Sequence, residues 1–142
     1  MRYSIKQASQ MLGMTEHTIR YYTDMELFPC KRDSGNRRIL DDEAINWLTG
    51  IRHLRACQMP LEAIKEYCDL CLQGDTTIHE RYRIILEQKE LAKARLAEAQ
   101  QVFEYMETKA AHYKEIVDQQ IPDDTNPNTW GGSHSDSKSC AV

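Results

Sequence analysis

Thr15-Glu16-His17-Thr18-Ile19-Arg20-Tyr21-Tyr22 gathers two hydroxyls, an imidazole, a guanidinium and two phenols into one short run. Such groups donate to phosphate oxygens, and a guanidinium also matches the two acceptors on a guanine edge. A second cluster, Lys31-Arg32 and Arg37-Arg38, flanks Asp33-Ser34-Gly35-Asn36. A basic turn of this kind clamps phosphates or enters a minor groove; standing alone it would be read as a solvated loop. Tyr22 is as well suited to packing as to contact, and Ile19 to packing. Catalytic chemistry is not expected. The chain holds no phosphate-binding glycine loop, no dinucleotide fingerprint and no HExxH. Its histidines (His17, His53, His79, His112, His134) are scattered, and no Ser or Cys stands in a nucleophile context.

The five cysteines, Cys30, Cys57, Cys68, Cys71 and Cys140, are odd in number and follow no secretion signal. They read as reduced thiols rather than a disulfide framework. Cys68-x-x-Cys71 is one CxxC without a second pair, so neither a zinc site nor any other cofactor is expected.

Local signals place these groups on elements. Ser4 caps a first helix with Ile5, Ala8, Met11 and Leu12 at helical spacing, and Gly13 ends it. Thr15 caps a second helix reaching about Met25, so a tight turn joins a helix-turn-helix. Phe28 to Leu40 reads as a hairpin, the wing of such a head. Asp41-Asp42-Glu43 sets acids at the positive end of a third helix. Pro60 opens a fourth, with Leu61, Ile64, Tyr67, Cys68 and Leu72 on its apolar face, and Gly74 closes it.

From Ile78 to Asp118 neither proline nor glycine occurs. Positions 82, 85, 89, 92, 96, 99, 103, 106, 110, 113 and 117 form a heptad seam in which Lys89 alone is charged. Residues 80–117 as one helix span about 57 Å, too long a stripe for so small a head to bury. A second copy is the simplest cover, through Ile85, Leu96, Phe103, Met106 and Tyr113. The fold class is therefore mainly α: a winged helix-turn-helix head over 1–74 (wing about 28–40, second helix pair about 42–73), a dimerising coiled-coil helix over 75–119, and a flexible, Pro/Asp/Asn/Ser/Gly-rich tail over 120–142.

The net charge of −4 hides an asymmetry. Residues 1–40 carry seven Lys/Arg against four Asp/Glu, so the head is +3 and the remainder −7, as expected when one end meets phosphate. No apolar run approaches the ~20 residues of a membrane helix, and no signal peptide opens the chain. A cytoplasmic protein without membrane contact is expected.

Tyr3-Ser4-Ile5, Ala8, Thr18-Ile19-Arg20-Tyr21-Tyr22, Leu27, Pro29, Gly35-Asn36-Arg37-Arg38-Ile39, Leu54-Arg55 and Met59-Pro60-Leu61-Glu62-Ala63-Ile64 together resemble the MerR family of bacterial transcription regulators, over about residues 2–118. The resemblance implies a homodimer held by an antiparallel coiled coil. It implies binding to a promoter palindrome in double-stranded DNA, whose distortion lets RNA polymerase engage two over-spaced elements, and an effector that repositions the heads. It passes DNA-contact roles to Thr18, Arg20, Tyr21, Tyr22 and Arg37. With Ser4, Thr15, His17, Arg32 and Arg38 these form the candidate DNA-contact set. Asn36, Ile39 and Gln58 depart from residues frequent in the family, which bears on the wing contacts.

The effector stays open. Family metal sensors carry cysteines where the long helix starts, whereas Gly74-Asp75-Thr76-Thr77-Ile78-His79 has none, and the tail has only Cys140 near His134. No metal is expected. Segments around Tyr67-Cys68, Leu70-Cys71, Gly74-Asp75 and Arg81 are similar to the aldehyde-responsive subgroup, but His53 stands where that subgroup places a cysteine, with Cys57 one turn later. A small organic ligand near Trp47, Ile51, Tyr67, Tyr82, Tyr105 and Tyr113 is the third option, and a constitutive regulator the fourth. The effector candidates are Trp47, His53, Cys57, Tyr67 and Cys71. A coiled-coil adaptor is the competing class; it leaves the basic wing and the Arg-Tyr-Tyr helix without a role.

Overall fold

The computed structural model describes residues 1–131. Ser4 accepts a hydrogen bond from the Gln7 amide while the Gln7 side chain accepts from the Ser4 amide. This capping box starts α1 (Ile5–Leu12). Gly13 at φ 62° ends it in the left-handed region, where a side chain is costly. Thr15 caps α2 (Glu16–Asp24) by accepting from the Thr18 amide. Strands β1 (Arg2–Tyr3), β2 (Lys31–Arg32) and β3 (Arg38–Asp41) form an antiparallel sheet in the order β1-β3-β2. Lys31 pairs with Ile39 and Arg32 with Arg38 across the wing. The expected two-stranded wing thus gains a third strand, because Arg2 and Tyr3 pair with Asp41 and Leu40. That pairing joins segments nearly forty residues apart, and no local pattern announces it.

Asp41 caps α3 (Asp42–Ala56) by accepting from the Ala44 amide, and this bond is the largest influence holding its carboxyl below the usual range. Pro60 sits one position before α4 (Leu61–Gln73) rather than inside its first turn. Gly74 at φ 90° ends α4. A 3-10 turn over Asp75–Thr77 leads into α5 (Ile78–Gln119).

The chain divides into two compact units, Met1–Lys89 and Glu90–Val142. In the first, Ala8, Leu12, Ile19, Tyr22, Leu27, Leu40, Leu48, Ile51, Met59, Ile64, Cys68 and Ile84 form one buried core. Burial of a side chain such as Leu or Ile contributes about 1.5–3 kcal/mol. Met59, where the helical pattern lapses, is buried at the corner between α3 and α4, next to Gln58 at φ 64°. Arg52 donates to the Leu12 carbonyl (2.6 Å) and satisfies an orphan acceptor at the end of α1. At the start of α5, buried Thr77 donates to the Leu70 and Gly74 carbonyls, and Arg81 donates to Thr77 and Gly74.

In the second unit, α5 presents every seam position from 92 to 117 as exposed. Leu96, Phe103 and Met106 are 71%, 58% and 54% exposed. In the tail, expected to be flexible, the described residues hold one 3-10 turn. Asn126 caps a 3-10 turn over Pro127–Thr129, the Trp130 indole donates to the Asp124 carbonyl (2.9 Å), and Asp124 pairs with His112 (2.5 Å). His134 and Cys140 lie outside the described residues.

Candidate nucleic-acid interface

The first turn of α2 leaves its donors outward. Thr15 and Thr18 share a hydroxyl hydrogen bond of 2.7 Å, and Thr15 and His17 are exposed. Arg20 is exposed and pairs with Glu16 one turn earlier at 3.3 Å. Ile19 turns inward and is fully buried. The two tyrosines separate: Tyr21 is 48% exposed, whereas Tyr22 is 7% exposed, 6.3 Å away centroid to centroid. Tyr22 is therefore a core residue that backs Tyr21. A helix rotates about 100° per residue, and here that step carries Tyr22 from the exposed side onto the core.

The wing is organised by Asp33. Its carboxylate accepts from the Gly35 and Arg37 amides, each at 2.9 Å. The Arg37 amide, first among several influences, holds that carboxyl below its usual range. The left-handed residue of this turn is Asn36 at φ 59°, not Gly35; asparagine tolerates that region better than most residues. Arg32 donates to the Asn36 carbonyl at 2.9 Å, which closes the turn from the other strand.

The two wing arginines do not act alike. The Arg37 side chain is 85% exposed beside Asp33, ready to meet an anion. The Arg38 side chain is 21% exposed, donates to the Thr23 hydroxyl at 2.6 Å and pairs with Asp24. Thr23 in turn donates to the Arg20 carbonyl at 2.7 Å. Arg38 thus ties β3 to the last turn of α2, a strap rather than an outward clamp. The sequence lacked any signal for this partner, because Thr23 and Asp24 lie far away along the chain. Arg38→Ala should lower stability by about 1.5–3 kcal/mol, the range for a hydrogen bond to a charged group. Urea denaturation checks this; an unchanged midpoint would show that the strap carries no load. Lys31, also basic, is engaged by Asp41 (2.9 Å) and Glu43 (3.3 Å). Ser4, in the contact set, has its hydroxyl used by the α1 cap and remains exposed.

Of the effector candidates, Trp47 and Tyr67 meet. With Ile51, Leu54, Gly50, Cys68, Glu43 and Asn46 they line an open cleft of about 410 Å³ between α3 and α4. Cys68, buried there, has its thiol pushed up to about 11 by burial, which keeps it protonated and inert near neutral pH. Cys71 lies apart from the cleft, 4.0 Å from the Arg81 guanidinium. His53 and Cys57 are exposed at the end of α3, with His53 3.4 Å from Arg52. Tyr82 and Tyr113 are exposed on α5. Among the described residues, no group of three or more His, Cys, Asp or Glu could hold a metal ion.

Residues 3–71, the stretch holding α1, α2, the wing, α3 and most of α4, match the family profile of MerR HTH regulatory proteins. An HTH-type transcriptional regulator of Haemophilus influenzae is 32% identical over 116 residues, covering 80% of this chain and 85% of its own length. The chain belongs to the MerR family of transcription regulators. Another MerR-type relative, AdhR of Bacillus subtilis, is 33% identical over 88 residues, 61% of this chain and 63% of AdhR. Among solved structures, HiNmlR, a MerR regulator lacking the sensor domain and bound to promoter DNA, matches with TM-score 0.69 and 29% identity, covering 82% of this chain and 93% of that one. A MerR regulator from Bacillus thuringiensis matches with TM-score 0.67 and 31% identity, covering 80% and 100%. The mainly helical architecture, with its small three-stranded wing sheet and long C-terminal helix, is that of MerR regulators. The relatives are transcription regulators.

Proposed function

We propose that this MerR-type regulator binds promoter DNA as a homodimer, with residues 1–74 as the DNA-binding head and 75–119 as the dimerising helix. The observation that carries the reading is the outward row of donors on α2 (Thr15, His17, Thr18, Arg20, Tyr21) in a fold that matches a regulator seen on promoter DNA. Set into a major groove, the N-terminal turns of α2 bring Thr18 and Arg20 to base edges, and Tyr21 to phosphate. Arg37 and Arg32 on the wing supply further phosphate contacts. Two heads on one palindrome bend and untwist the DNA between them, which brings promoter elements into line for RNA polymerase. An effector that alters the angle between heads would set how much. The competing coiled-coil adaptor is not favoured, because the family match lies on the head. Among the described residues no helix is long and apolar enough to cross a membrane, and a cytoplasmic site of action fits a regulator of promoters.

Fluorescence anisotropy on the chain's own promoter decides. A protein neutralising 6–10 phosphates loses about 10³–10⁵ in affinity between 50 and 200 mM salt, so binding should weaken steeply while the promoter stays preferred over a scrambled duplex. Equal affinity for both duplexes would overturn the proposal.

A further inference from the structure

A short chain of hydrogen bonds runs from α2 to the wing, and it begins and ends at the two arginines proposed to meet DNA. The Arg20 carbonyl accepts from the Thr23 hydroxyl at 2.7 Å, and that hydroxyl accepts from Arg38 Nε at 2.6 Å. The other end of the Arg38 guanidinium pairs with Asp24. Arg38 is the chain neighbour of Arg37, so the backbone of Arg20 and the backbone of Arg37 are linked through Thr23 and Arg38. The link is sheltered: Thr23 is buried and the Arg38 side chain largely so, and water competes poorly for such bonds. The other ties of the wing lead elsewhere. Lys31 holds its base to Asp41 and Glu43 at the start of α3. β1 supports β3 at Leu40 and Asp41. Asp33 and Arg32 close the tip on itself. None of these contacts reaches α2. Among the described residues, the hydrogen bonds that join the wing to α2 are those of Arg38.

We infer that Arg38, acting through Thr23, is a positioning residue for DNA binding. It sets the offset between α2 and Arg37 on the wing and does not itself touch DNA. This inference rests on the DNA-binding reading above. A helix in a groove and a hairpin on the flanking backbone must meet their partners at the same time, and each contact tolerates an error of only a few tenths of an ångström. Beyond its base the wing is a two-stranded hairpin, which by itself holds its position poorly. Without the link, the ordering of the wing is left to the binding step, where it subtracts from affinity. A direct phosphate contact by Arg38 fits the geometry less well. Two of its donors are already used inside the protein, and the carboxylate of Asp24 offsets its charge.

Promoter binding by the full chain, followed by anisotropy across a range of salt at a temperature where circular dichroism shows each variant folded, tests the inference. Thr23→Val removes one hydroxyl from the link and leaves the Arg38 charge in place. It should weaken binding by roughly three- to thirtyfold, within the range for residues coupled in one hydrogen-bond network. Thr23→Ser keeps the hydroxyl and should bind as the wild type does. Arg38→Met should resemble Thr23→Val. Arg37→Ala should flatten the salt dependence by about one unit in the wild-type background, and by clearly less when combined with Thr23→Val or Arg38→Met, because the wing no longer delivers that contact. If Thr23→Val binds as tightly as the wild type while Arg38→Met alone loses about one unit of salt dependence, Arg38 is itself a phosphate contact. If both variants melt earlier yet bind normally, the link serves stability alone. If Arg37→Ala costs the same in every background, the wing is placed by other contacts. Each of these three results overturns the inference and leaves the DNA-binding reading standing. Should Arg38→Met fail to fold, Thr23→Val with its serine control decides. A wild-type chain that binds promoter and scrambled duplex equally overturns the DNA-binding reading and the inference with it.

Discussion

Arg20→Ala should weaken binding to the chain's own promoter by about 1–3 kcal/mol, a factor of roughly five to 150, and should relax the preference for one base pair in each half-site. The magnitude follows from chemistry and exposure together. A guanidinium that bridges both acceptors of a guanine edge contributes in that range, and its loss leaves the base with no replacement donor. The cost of freeing Arg20 is small: among the described residues its ion pair is with Glu16, one turn away on an exposed helix face, and such a pair contributes about 0.3–0.5 kcal/mol. The substitution should not disturb the fold, because the inward face of α2 belongs to Ile19 and Tyr22. Thermal melting of the variant should therefore match the wild type while anisotropy reports the loss. A variant that binds its promoter as tightly and as selectively as the wild type would remove Arg20 from base reading. Arg37→Ala offers the contrast: as a phosphate contact it should weaken all duplexes alike and flatten the salt dependence by about one unit.

Replacing Phe103 and Met106 together with glutamate should convert the protein to single chains of 16.5 kDa at micromolar concentration, read by light scattering. Both side chains are more than half exposed in one chain, so neither holds that chain's own core together. Their burial against a second copy would remove most of that area from water. Glutamate at 103 must instead be desolvated among apolar side chains, a penalty of several kcal/mol per interface. Glutamate is a good helix former, so the change acts on the interface rather than on local helix preference. Binding to a full palindrome should fall to the strength of binding to a half-site. A variant that stays dimeric would show that the seam runs along another face of α5.

The local part of this architecture was readable in residue order. Ser4, Thr15, Asp41 and Gly74 mark helix ends through hydrogen bonds or backbone conformations that span three or four residues, and the heptad rhythm from 82 to 117 is a property of one helix. Such signals do not depend on what lies elsewhere in the chain. The same holds for the class of the candidate site: donors on a short capped helix followed by a basic turn point to nucleic acid before any fold is known.

Which of two adjacent residues does the work was decided only by the tertiary structure. Tyr21 and Tyr22 are the same residue type, and Arg37 and Arg38 likewise. Packing against Leu27 and the rest of the core draws Tyr22 inward, and Thr23 with Asp24 draws Arg38 onto α2. The pairing of β1 with β3 and the cleft at Trp47 and Tyr67 are decided in the same way. Each depends on contacts between segments distant in sequence, whose free energy is set by how the core closes rather than by any local pattern. The sequence alone determined that this chain carries a donor-rich helix, a basic turn and a long apolar stripe. The fold determined which side chains face outward from the head.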